Sequence, residues 1–163
     1  MERDSLDKAL LTNPLLTIRQ ATLPDITTLC ELDVACFSTD QSNVVGRLSY
    51  LLNDNNYVLL VACYDNNIIG KAHIRKENQM ALLSDIAIFP DQQKRGFGSE
   101  LLAFCINFSL NNGFTQLALD VETSNQNALN LYKKHGFNVV KSYDYRSMPI
   151  DLLTKFLQSR GSL

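Results

Sequence analysis

Runs of apolar residues divide this chain into segments of two kinds, and the short continuous runs predict β-strands. Residues 57–64 are almost all apolar and rich in β-formers, which is typical of a strand buried on both faces. Asp65-Asn66-Asn67 favours a turn into a second strand over residues 68–75, and the two strands then form a hairpin. By the same criteria, further strands are predicted over residues 15–20, 79–88, 115–121 and 137–145.

Apolar residues spaced three and four positions apart predict helices between these strands. Thr22, Pro24 and Asp25 indicate the start of the first helix, because they supply a cap, a first-turn proline and an acidic residue. Other helices are predicted over residues 44–52, from Ser99 to Asn111-Asn112-Gly113, from Ser124 or Asn125 to Gly136, and over 151–158. The order of strand, two helices, three strands, helix, strand, helix, strand indicates an α/β domain without a linker.

The predicted elements suggest an N-terminal extension over residues 1–14, a domain over 15–150, and a C-terminal helix or tail over 151–163. Residues 1–13 are expected to be a loose or helical segment. With 163 residues, 45% of them hydrophobic, the chain is long enough to bury a core. The formal net charge of −2 gives no support for binding to nucleic acid or to an anionic membrane.

Several sequence features favour a cytoplasmic protein. The first residues lack the apolar core of a signal peptide, and no apolar run approaches the ~20 residues of a membrane span. The four cysteines, Cys30, Cys36, Cys63 and Cys105, include no C-x-x-C pair. We therefore expect free thiols and no metal site.

The segment between the strand ending at Ile88 and the third helix carries the most informative chemistry. Gly96 and Gly98 stand one residue apart where a strand gives way to a helix, and such a turn can point main-chain N–H groups at an anion. Lys94 and Arg95 add positive charge beside them. The segment predicts a site for a ligand that carries a diphosphate.

The glycine spacing excludes two common phosphate-binding motifs. The dinucleotide fingerprint needs a third small residue three positions after Gly98, and Leu101 stands there. The P-loop spacing is also absent. What remains is a Q-x-x-G-x-G pattern, which does not by itself identify the ligand.

A second segment does identify a family. Asn125, Ala128, Leu131-Tyr132 and Gly136-Phe137 fit the pattern N-x-x-A-x-x-L-Y-x-x-x-G-F. Residues Asp85–Gly98 precede this pattern with the order and separation that the two segments have in the GCN5-related N-acetyltransferase (GNAT) superfamily. Together the two segments resemble that superfamily, and the resemblance covers roughly residues 16–145. The resemblance implies an α/β (α+β) fold with a mixed, mostly antiparallel sheet and about four flanking helices. The sheet would splay into a V between its fourth and fifth strands, which end near residues 88 and 121.

The resemblance also implies that acetyl-CoA, the donor substrate, lies in this V. Main-chain groups of Ile86, Ala87 and Ile88 would pair with the pantetheine amides. Asn125 would offer an amide to the pantetheine arm, or else only cap its helix. The pyrophosphate would lie against Gln93, Lys94, Arg95, Gly96, Phe97, Gly98 and Ser99, and Ala128 and Tyr132 would complete the cofactor site.

Acetyl transfer to an amine needs a proton donor for the leaving thiolate and a base for the amine. By resemblance Tyr132 is the acid, because a phenol with a pKa of ~10 suits proton donation at neutral pH. Two carboxylates are candidates for the base. Asp120 lies twelve residues before the tyrosine, where some peptide N-terminal acetyltransferases carry a glutamate, and Asp85 lies on the neighbouring strand. His73 and His135 are expected to be structural.

The chain is thus predicted to transfer acetyl groups directly to a primary amine of a small molecule or a peptide. The acceptor pocket would be formed by residues 37–43, Tyr50 and the Tyr143-Asp144-Tyr145 strand, and it does not reveal the acceptor. Two alternatives are a non-catalytic sensor or assembly subunit that binds CoA, and a protein that binds another phosphate compound.

One departure from the family concerns the C-terminal end of the domain. Members usually end in a hairpin, whereas residues 146–150 here are too few for a second strand of ordinary length, and a helix is predicted next. The last strand is either missing, truncated or supplied by a partner, and the third case would give a homodimer.

Overall fold

The computed structural model describes residues 2–3, 15–37 and 41–139 of the chain. Within these residues the chain forms six strands and four α-helices. In chain order they are β1 (Glu2–Arg3), β2 (Leu16–Gln20), α1 (Ile26–Phe37), α2 (Gln41–Asn53), β3 (Tyr57–Tyr64), β4 (Asn67–Glu77), β5 (Met80–Ile88), α3 (Phe97–Asn111), β6 (Gln116–Leu119) and α4 (Gln126–Lys134). Among the described helices, none is both long and apolar enough to cross a membrane.

The strands form one sheet in the order β1-β6-β5-β4-β3-β2. All neighbouring strands are antiparallel except β5 and β6, which are parallel. The hairpin predicted between residues 57 and 75 is confirmed, and so is the mixed, mostly antiparallel sheet. The parallel pair is connected by α3, as parallel neighbours require a crossover.

Helices cover both faces of this sheet. On one face, α3 and α4 pack against the strands, and Leu101, Leu102 and Ile106 of α3 are completely buried there. On the other face, α1 and α2 pack against Leu59 and Val61 of β3. The nearly continuous apolar run of β3 is explained by this burial on both sides.

The sheet opens between its two parallel strands. Pairing of β5 with β6 extends only from Met80–Gln116 to Leu83–Leu119, although β5 continues to Ile88. From Ser84 onward β5 has no neighbour on that side within the described residues. This divergence is the V that the family resemblance predicts between the fourth and fifth strands. These strands are β5 and β6 in the structure, because β1 adds a strand before them.

A β-bulge in β5 lies at the opening. The register between β4 and β5 shifts between Lys71–Ala87 and His73–Ser84, and Asp85 in the shifted segment has a positive φ of 51°. Aspartate enters this left-handed region more readily than most residues. Such bulges redirect side chains, and they are frequent next to functional sites.

Gly70 of β4 is required where it faces the end of β5. A methyl group at this position would overlap the side chain of Ile88 and lie 2.7 Å from the carbonyl oxygen of Ala87. Only glycine therefore allows β4 to approach β5 this closely.

Three predicted boundaries are wrong. Glu2 and Arg3 are not loose or helical but pair with Leu117 and Ala118, because the outer edge of β6 has main-chain groups to satisfy. The strand predicted over residues 115–121 ends at Leu119, where its ladder with β5 ends. Helix α3 begins at Phe97 rather than at Ser99, because Gly96 has a φ of 84° and forms the N-cap.

Of the strand predicted over residues 137–145, only an isolated bridge at Asn138 falls within the described part. The helix predicted over 151–158 and the Tyr143-Asp144-Tyr145 segment lie outside the described residues.

Candidate functional site

The turn after β5 is built mainly by main-chain conformation. Gln93 donates from Nε2 to the carbonyl oxygen of Ile88 at 2.9 Å, which ties the turn to the end of the strand. Lys94 and Gly96 both have positive φ, 61° and 84°, and they reverse the chain into α3. The N–H groups of Phe97, Gly98 and Ser99 are at the N-terminus of this helix, where they have no intrahelical acceptor. The turn therefore provides the anion-binding geometry that its sequence predicts.

The two cations of the turn differ in their surroundings. Lys94 is exposed. The Arg95 guanidinium stacks over the rings of Tyr64 and Phe97, at 5.2 and 5.0 Å from their centroids, and donates to Gln92. Both cations are exposed, but only Arg95 is positioned by packing on aromatic rings among the contacts described.

Ser99 and His135 connect the two halves of the family pattern. The Oγ of Ser99 lies 3.1 Å from Nε2 of His135, whose Nδ1 lies 2.9 Å from the carbonyl oxygen of Leu131. A carbonyl oxygen only accepts, so Nδ1 is the donor in its contact with Leu131, and Nε2 pairs with the serine hydroxyl. The first turn of α3 is therefore fastened to the end of α4, and His135, expected to be only structural, contacts a predicted cofactor residue.

Asn125 is the N-cap of α4. Its Oδ1 accepts from the N–H of Ala128 at 3.1 Å. The capping role considered for Asn125 is therefore present, and Ser124 is not the cap. The side-chain NH₂ group is not used by the cap, so it is available as a donor at this exposed position.

Tyr132 lies on the buried face of α4 and is 9% exposed. Its ring makes an edge contact with Phe137, the centroids being 5.9 Å apart. Burial, with a smaller contribution from Cys105, raises the pKa of Tyr132 to about 12. The phenol is therefore protonated throughout the physiological pH range.

The main chain of β5 beside the opening is partly occupied. Ala87 and Ile88 are buried and pair with β4, whereas Ile86 is half-buried. The carbonyl oxygen of Ile88 accepts from Cys36 Sγ at 3.3 Å as well as from Gln93. Both lone pairs of this carbonyl oxygen are therefore occupied. The predicted pairing with the pantetheine amides would use the other main-chain groups of residues 86–88.

Asp120 and Glu122 both lie beyond the end of β6, which stops at Leu119. Asp120 is exposed and follows Leu119, the last residue of β6 that pairs with β5. Asp120 lies at the opening between β5 and β6, one residue beyond the last pair, Leu83 and Leu119. Asp85 lies at the same opening on the other strand.

Beneath α1 and α2, five ionisable residues form a group that we call the charge cluster: Asp33, Arg47, Lys71, His73 and Asp85. The Arg47 guanidinium bridges two carboxylates, with Nη2 2.9 Å from Asp33 and Nη1 3.3 Å from Asp85. Lys71 forms an ion pair with Asp33, and His73 Nδ1 lies 3.2 Å from Asp85 Oδ2. The cluster thus contains two carboxylates and two basic side chains, with a histidine at one end.

Burial and charge shift the pKa values in the cluster in opposite directions. Burial lowers the pKa of Lys71, although Asp33 opposes this, and burial together with Lys71 lowers the pKa of His73. Burial would raise the pKa of Asp85, but His73, Lys71 and Arg47 outweigh it and hold that pKa well below its usual range. His73 is consequently neutral and Asp85 ionised at physiological pH.

The tautomer of His73 follows from these contacts. Nδ1 donates to the Asp85 carboxylate, so Nε2 carries the lone pair. Nε2 is buried and has no hydrogen-bond partner among the described residues.

The profile of the Acetyltransferase (GNAT) family matches residues 26–137, which is more than half of the chain. The chain belongs to this family. The match includes the bulge, the glycine turn, Asn125 and Tyr132.

Individual GNAT relatives match over shorter segments. Streptothricin acetyltransferase A of Bacillus subtilis is 39% identical over 74 residues, which cover 45% of this chain and 43% of that protein. The ribosomal protein bS18-alanine N-acetyltransferase of Salmonella typhimurium is 43% identical over 58 residues, covering 36% and 39%. The matches therefore span less than half the length of each of these two relatives.

Solved structures share the GNAT fold across most of the chain. Aminoglycoside N-acetyltransferase AAC(6')-Iy in complex with CoA has a TM-score of 0.71 at 17% identity, covering 83% of this chain and 96% of that one. The ribosomal-protein-S18-alanine N-acetyltransferase of Escherichia coli also has a TM-score of 0.71, at 22% identity, covering 83% and 86%.

The charge cluster is the part of this GNAT domain that the sequence prediction missed. Only Asp85 was predicted as a site residue, and His73 was expected to be structural. A signal existed, because Lys71 and His73 stand two positions apart within a strand that is otherwise mostly apolar. Buried polar residues are the informative exceptions in a core, and this spacing puts both on one face of β4.

Phe37, residues 41–43 and Tyr50 of the predicted acceptor pocket lie within the described residues, and residues 41–43 form the first turn of α2. Phe37, at the end of α1, and Tyr50, on α2, are both exposed. Phe37 also lies over the Lys71 ammonium, 5.7 Å from the ring centroid. The remaining segments, 38–40 and 143–145, lie outside the described residues.

Proposed function

We propose that this protein is an acetyl-CoA-dependent N-acetyltransferase that acts on a primary amine of a small molecule or a peptide. The observation that carries the proposal is the geometry of the opening between β5 and β6. The N-terminus of α3 follows the end of β5 there, and helix α4, which bears Tyr132, follows β6. The GNAT relatives named above, which act on streptothricin and on a ribosomal protein, support the same activity.

The described residues fit the donor substrate. The first N–H groups of α3 and the exposed Lys94 offer donors and charge for a pyrophosphate. The side of β5 from Ser84 to Ile88 that β6 leaves unpaired suits an extended amide chain. Acetyl-CoA supplies an activated thioester, and the remaining chemistry is assigned to side chains of the protein.

In the proposed reaction the amine nitrogen forms a bond to the thioester carbon, and the carbon–sulfur bond breaks. The nitrogen loses a proton to a base, and the thiolate of CoA receives one. Tyr132 would donate to the leaving sulfur, because its raised pKa keeps the phenol protonated until that point. Ser99, held by His135, and Asn125 would contribute to binding the donor.

For the base, the surroundings favour Asp120 over Asp85. The Asp85 carboxylate is engaged by Arg47 and His73, and it has little tendency to accept a proton. Asp120 is exposed at the opening, where a water molecule can carry a proton to it. We propose that Asp120 acts as the base and that Asp85 has a different task.

Release of free thiol from acetyl-CoA in the presence of a panel of amines and peptides tests the proposal. We expect turnover with at least one acceptor and formation of the acetylated product by mass spectrometry. Tyr132→Phe should lower kcat about 100-fold while leaving the Kd of acetyl-CoA nearly unchanged. Equal activity of the variant would contradict the assignment of Tyr132, and a smaller loss in Asp120→Asn than in Glu122→Gln would contradict that of Asp120.

A non-catalytic CoA-binding subunit is the second candidate. One observation favours it. Asp85, the more buried of the two candidate bases, is paired with Arg47 and is therefore a poor proton acceptor. This candidate predicts tight binding of acetyl-CoA and CoA in calorimetry without thiol release for any acceptor. Thermal unfolding with acetyl-CoA, CoA, ATP and NAD completes the test, because stabilisation by ATP or NAD alone would contradict both candidates.

A further inference from the structure

Only one edge of the charge cluster is accessible to solvent. The side chains of Asp33, Lys71 and His73 are 0%, 1% and 2% exposed, whereas Arg47 is 24% and Asp85 15% exposed. The Arg47–Asp85 contact of 3.3 Å is also longer than the 2.9 Å contact between Arg47 and Asp33. An incoming molecule therefore meets the Arg47–Asp85 pair first.

Among the described residues, Arg47 is the permanently charged cation in direct contact with Asp85. Lys71 forms its ion pair with Asp33, so these two charges balance each other. The other neighbour of Asp85 is His73, which donates from Nδ1 as a neutral imidazole. If the Arg47 side chain moved away, Asp85 would lose this direct contact and keep only the more distant charge of Lys71 to offset its own.

The position of Asp85 relates this charge to the acceptor. Asp85 follows closely after Leu83, the last β5 residue that pairs with β6. It projects from the bulge toward α1 and α2, the face of the sheet opposite α3 and α4. If the donor is bound by α3 and α4, as in the proposed function on which this inference rests, the acceptor reaches the thioester from the Asp85 side.

We propose that the Arg47–Asp85 pair is an exchangeable cation site, in which an ammonium group of the acceptor replaces Arg47 at Asp85. An ammonium held by an ionised carboxylate has no free lone pair, so it cannot be the nitrogen that is acetylated. The acceptor must therefore carry at least two amines, one held by Asp85 and another that reacts. The low pKa of Asp85 agrees with this, because the carboxylate does not take the proton from the amine it holds.

Matched acceptors test this site. A series of linear diamines with three to eight carbons is compared with the corresponding monoamines and ω-amino acids. With the wild-type protein we expect the best diamine to exceed its monoamine at least tenfold in kcat/KM, mainly through KM, and the ω-amino acid to be the poorest. Asp85→Asn should abolish the preference, so that the kcat/KM values of the diamine and of its monoamine become similar.

The variant is suited to the position. Asparagine adopts positive φ about as readily as aspartate, and its Oδ1 can still accept from His73. Arg47→Gln removes the internal competitor, so we expect the KM of the diamine to fall several-fold, whereas Arg47→Lys should resemble the wild type. Arg19→Gln is the matched control, because Arg19 pairs with Asp25 outside the cluster.

A binding measurement separates this inference from the proposed function. Diamines are titrated calorimetrically into the protein saturated with CoA, which lacks the acetyl group and cannot react. We expect a Kd for the diamine at least tenfold lower than for the monoamine, and loss of this difference in Asp85→Asn. If no amine is acetylated, the proposed function fails, and the titration still decides whether the cation site exists.

Two results would overturn the inference. Equal binding and use of diamines and monoamines would show that Asp85 receives no second ammonium. A preference for the ω-amino acid that Arg47→Gln removes would show that Arg47 stays in place and binds a carboxylate of the acceptor.

Discussion

The two sides of the candidate site are built in different ways. The side assigned to the donor consists of main-chain groups in segment 93–99 and side chains in segment 125–137, and the members of each segment are neighbours in sequence. The charge cluster consists of side chains from α1, α2, β4 and β5, and Arg47 and Asp85 in it are 38 residues apart. Local conformation determines the first side, and long-range packing determines the second.

This difference predicts different responses to mutation. Main-chain N–H groups at a helix N-terminus are retained when side chains change, provided that the backbone can keep its conformation. A member of a buried charge cluster depends on every partner, because removing one leaves another charged group buried and uncompensated. We therefore expect the largest effects on stability in the cluster.

Lys71→Met tests the cluster directly, since methionine retains much of the side-chain length without the charge. It leaves the completely buried Asp33 with Arg47 as its remaining cationic partner. We expect the free energy of unfolding in urea to fall by about 3–5 kcal/mol. Asp33→Leu combined with Lys71→Met should recover much of this loss.

The exposed Lys76 on the same strand supplies the control for that substitution. Lys76→Met should change the free energy of unfolding by less than about 0.5 kcal/mol. A similar small value for Lys71→Met would mean that the ion pair with Asp33 does not contribute, and the contrast between the two sides would be lost.

The same contrast explains how much of the structure could be predicted from the sequence. The bounds of β3 match residue for residue, and Asn125, Gly113 and Gly136 end or begin helices as predicted, because caps and turns depend on a few adjacent residues. The contact between Arg47 and Asp85 could not be predicted, since it requires the register of β4 on β5 and the packing of α2 on the sheet. The bulge at Asp85 is likewise a property of two strands and not of one.

Gly96→Ala and Gly98→Ala distinguish two roles of glycine on the donor side. One role is to adopt a positive φ, and the other is to leave space for the ligand. A methyl group at Gly96 meets no atom within 4 Å, but φ is 84°, so alanine should cost about 1–2 kcal/mol in the free energy of unfolding. At Gly98 the methyl group would contact Leu131 at an ordinary 3.7 Å, so the free protein should be as stable as the wild type.

Calorimetric titration with acetyl-CoA completes this comparison. Gly98→Ala should weaken binding although the fold is intact, because the added methyl group lies in the turn against which the pyrophosphate is proposed to bind. Unchanged affinity in both variants would place the anion elsewhere.

Substitutions of Asn125 distinguish its cap from its proposed contact with the donor. Asn125→Ala removes the oxygen that accepts from Ala128 and should lower the free energy of unfolding by about 1 kcal/mol. Asn125→Ser keeps a capping oxygen and should restore that stability, but it lacks the amide NH₂. If the amide binds the donor, both variants raise the KM of acetyl-CoA alike, whereas a KM raised only in Asn125→Ala assigns Asn125 to the cap alone.

A small effect is expected for an ion pair that is only partly buried, in which Asp25 is buried and Arg19 is half-exposed. Arg19 contacts both carboxylate oxygens of Asp25, at 2.7 and 2.9 Å, and Thr22 donates to the same carboxylate. The Arg19 contact is the main reason that the pKa of Asp25 is lowered to about 2. Because the folded-state pKa is below the unfolded value of ~3.9, the stabilisation is present above pH 4 and is lost as the pH falls through about 2.

At pH 7 Asp25→Asn should therefore lower the free energy of unfolding by only about 1 kcal/mol, since Arg19 is half-exposed and water screens the pair. The difference from the wild type should shrink between pH 4 and pH 2, and 0.5 M NaCl should reduce it at pH 7. His73, Lys71 and Arg47 likewise hold the pKa of Asp85 well below its usual range, so this carboxylate also keeps its charge above pH 4. An Asp25→Asn difference that is as insensitive to salt as that of Lys71→Met would contradict the distinction between partly buried and fully buried pairs.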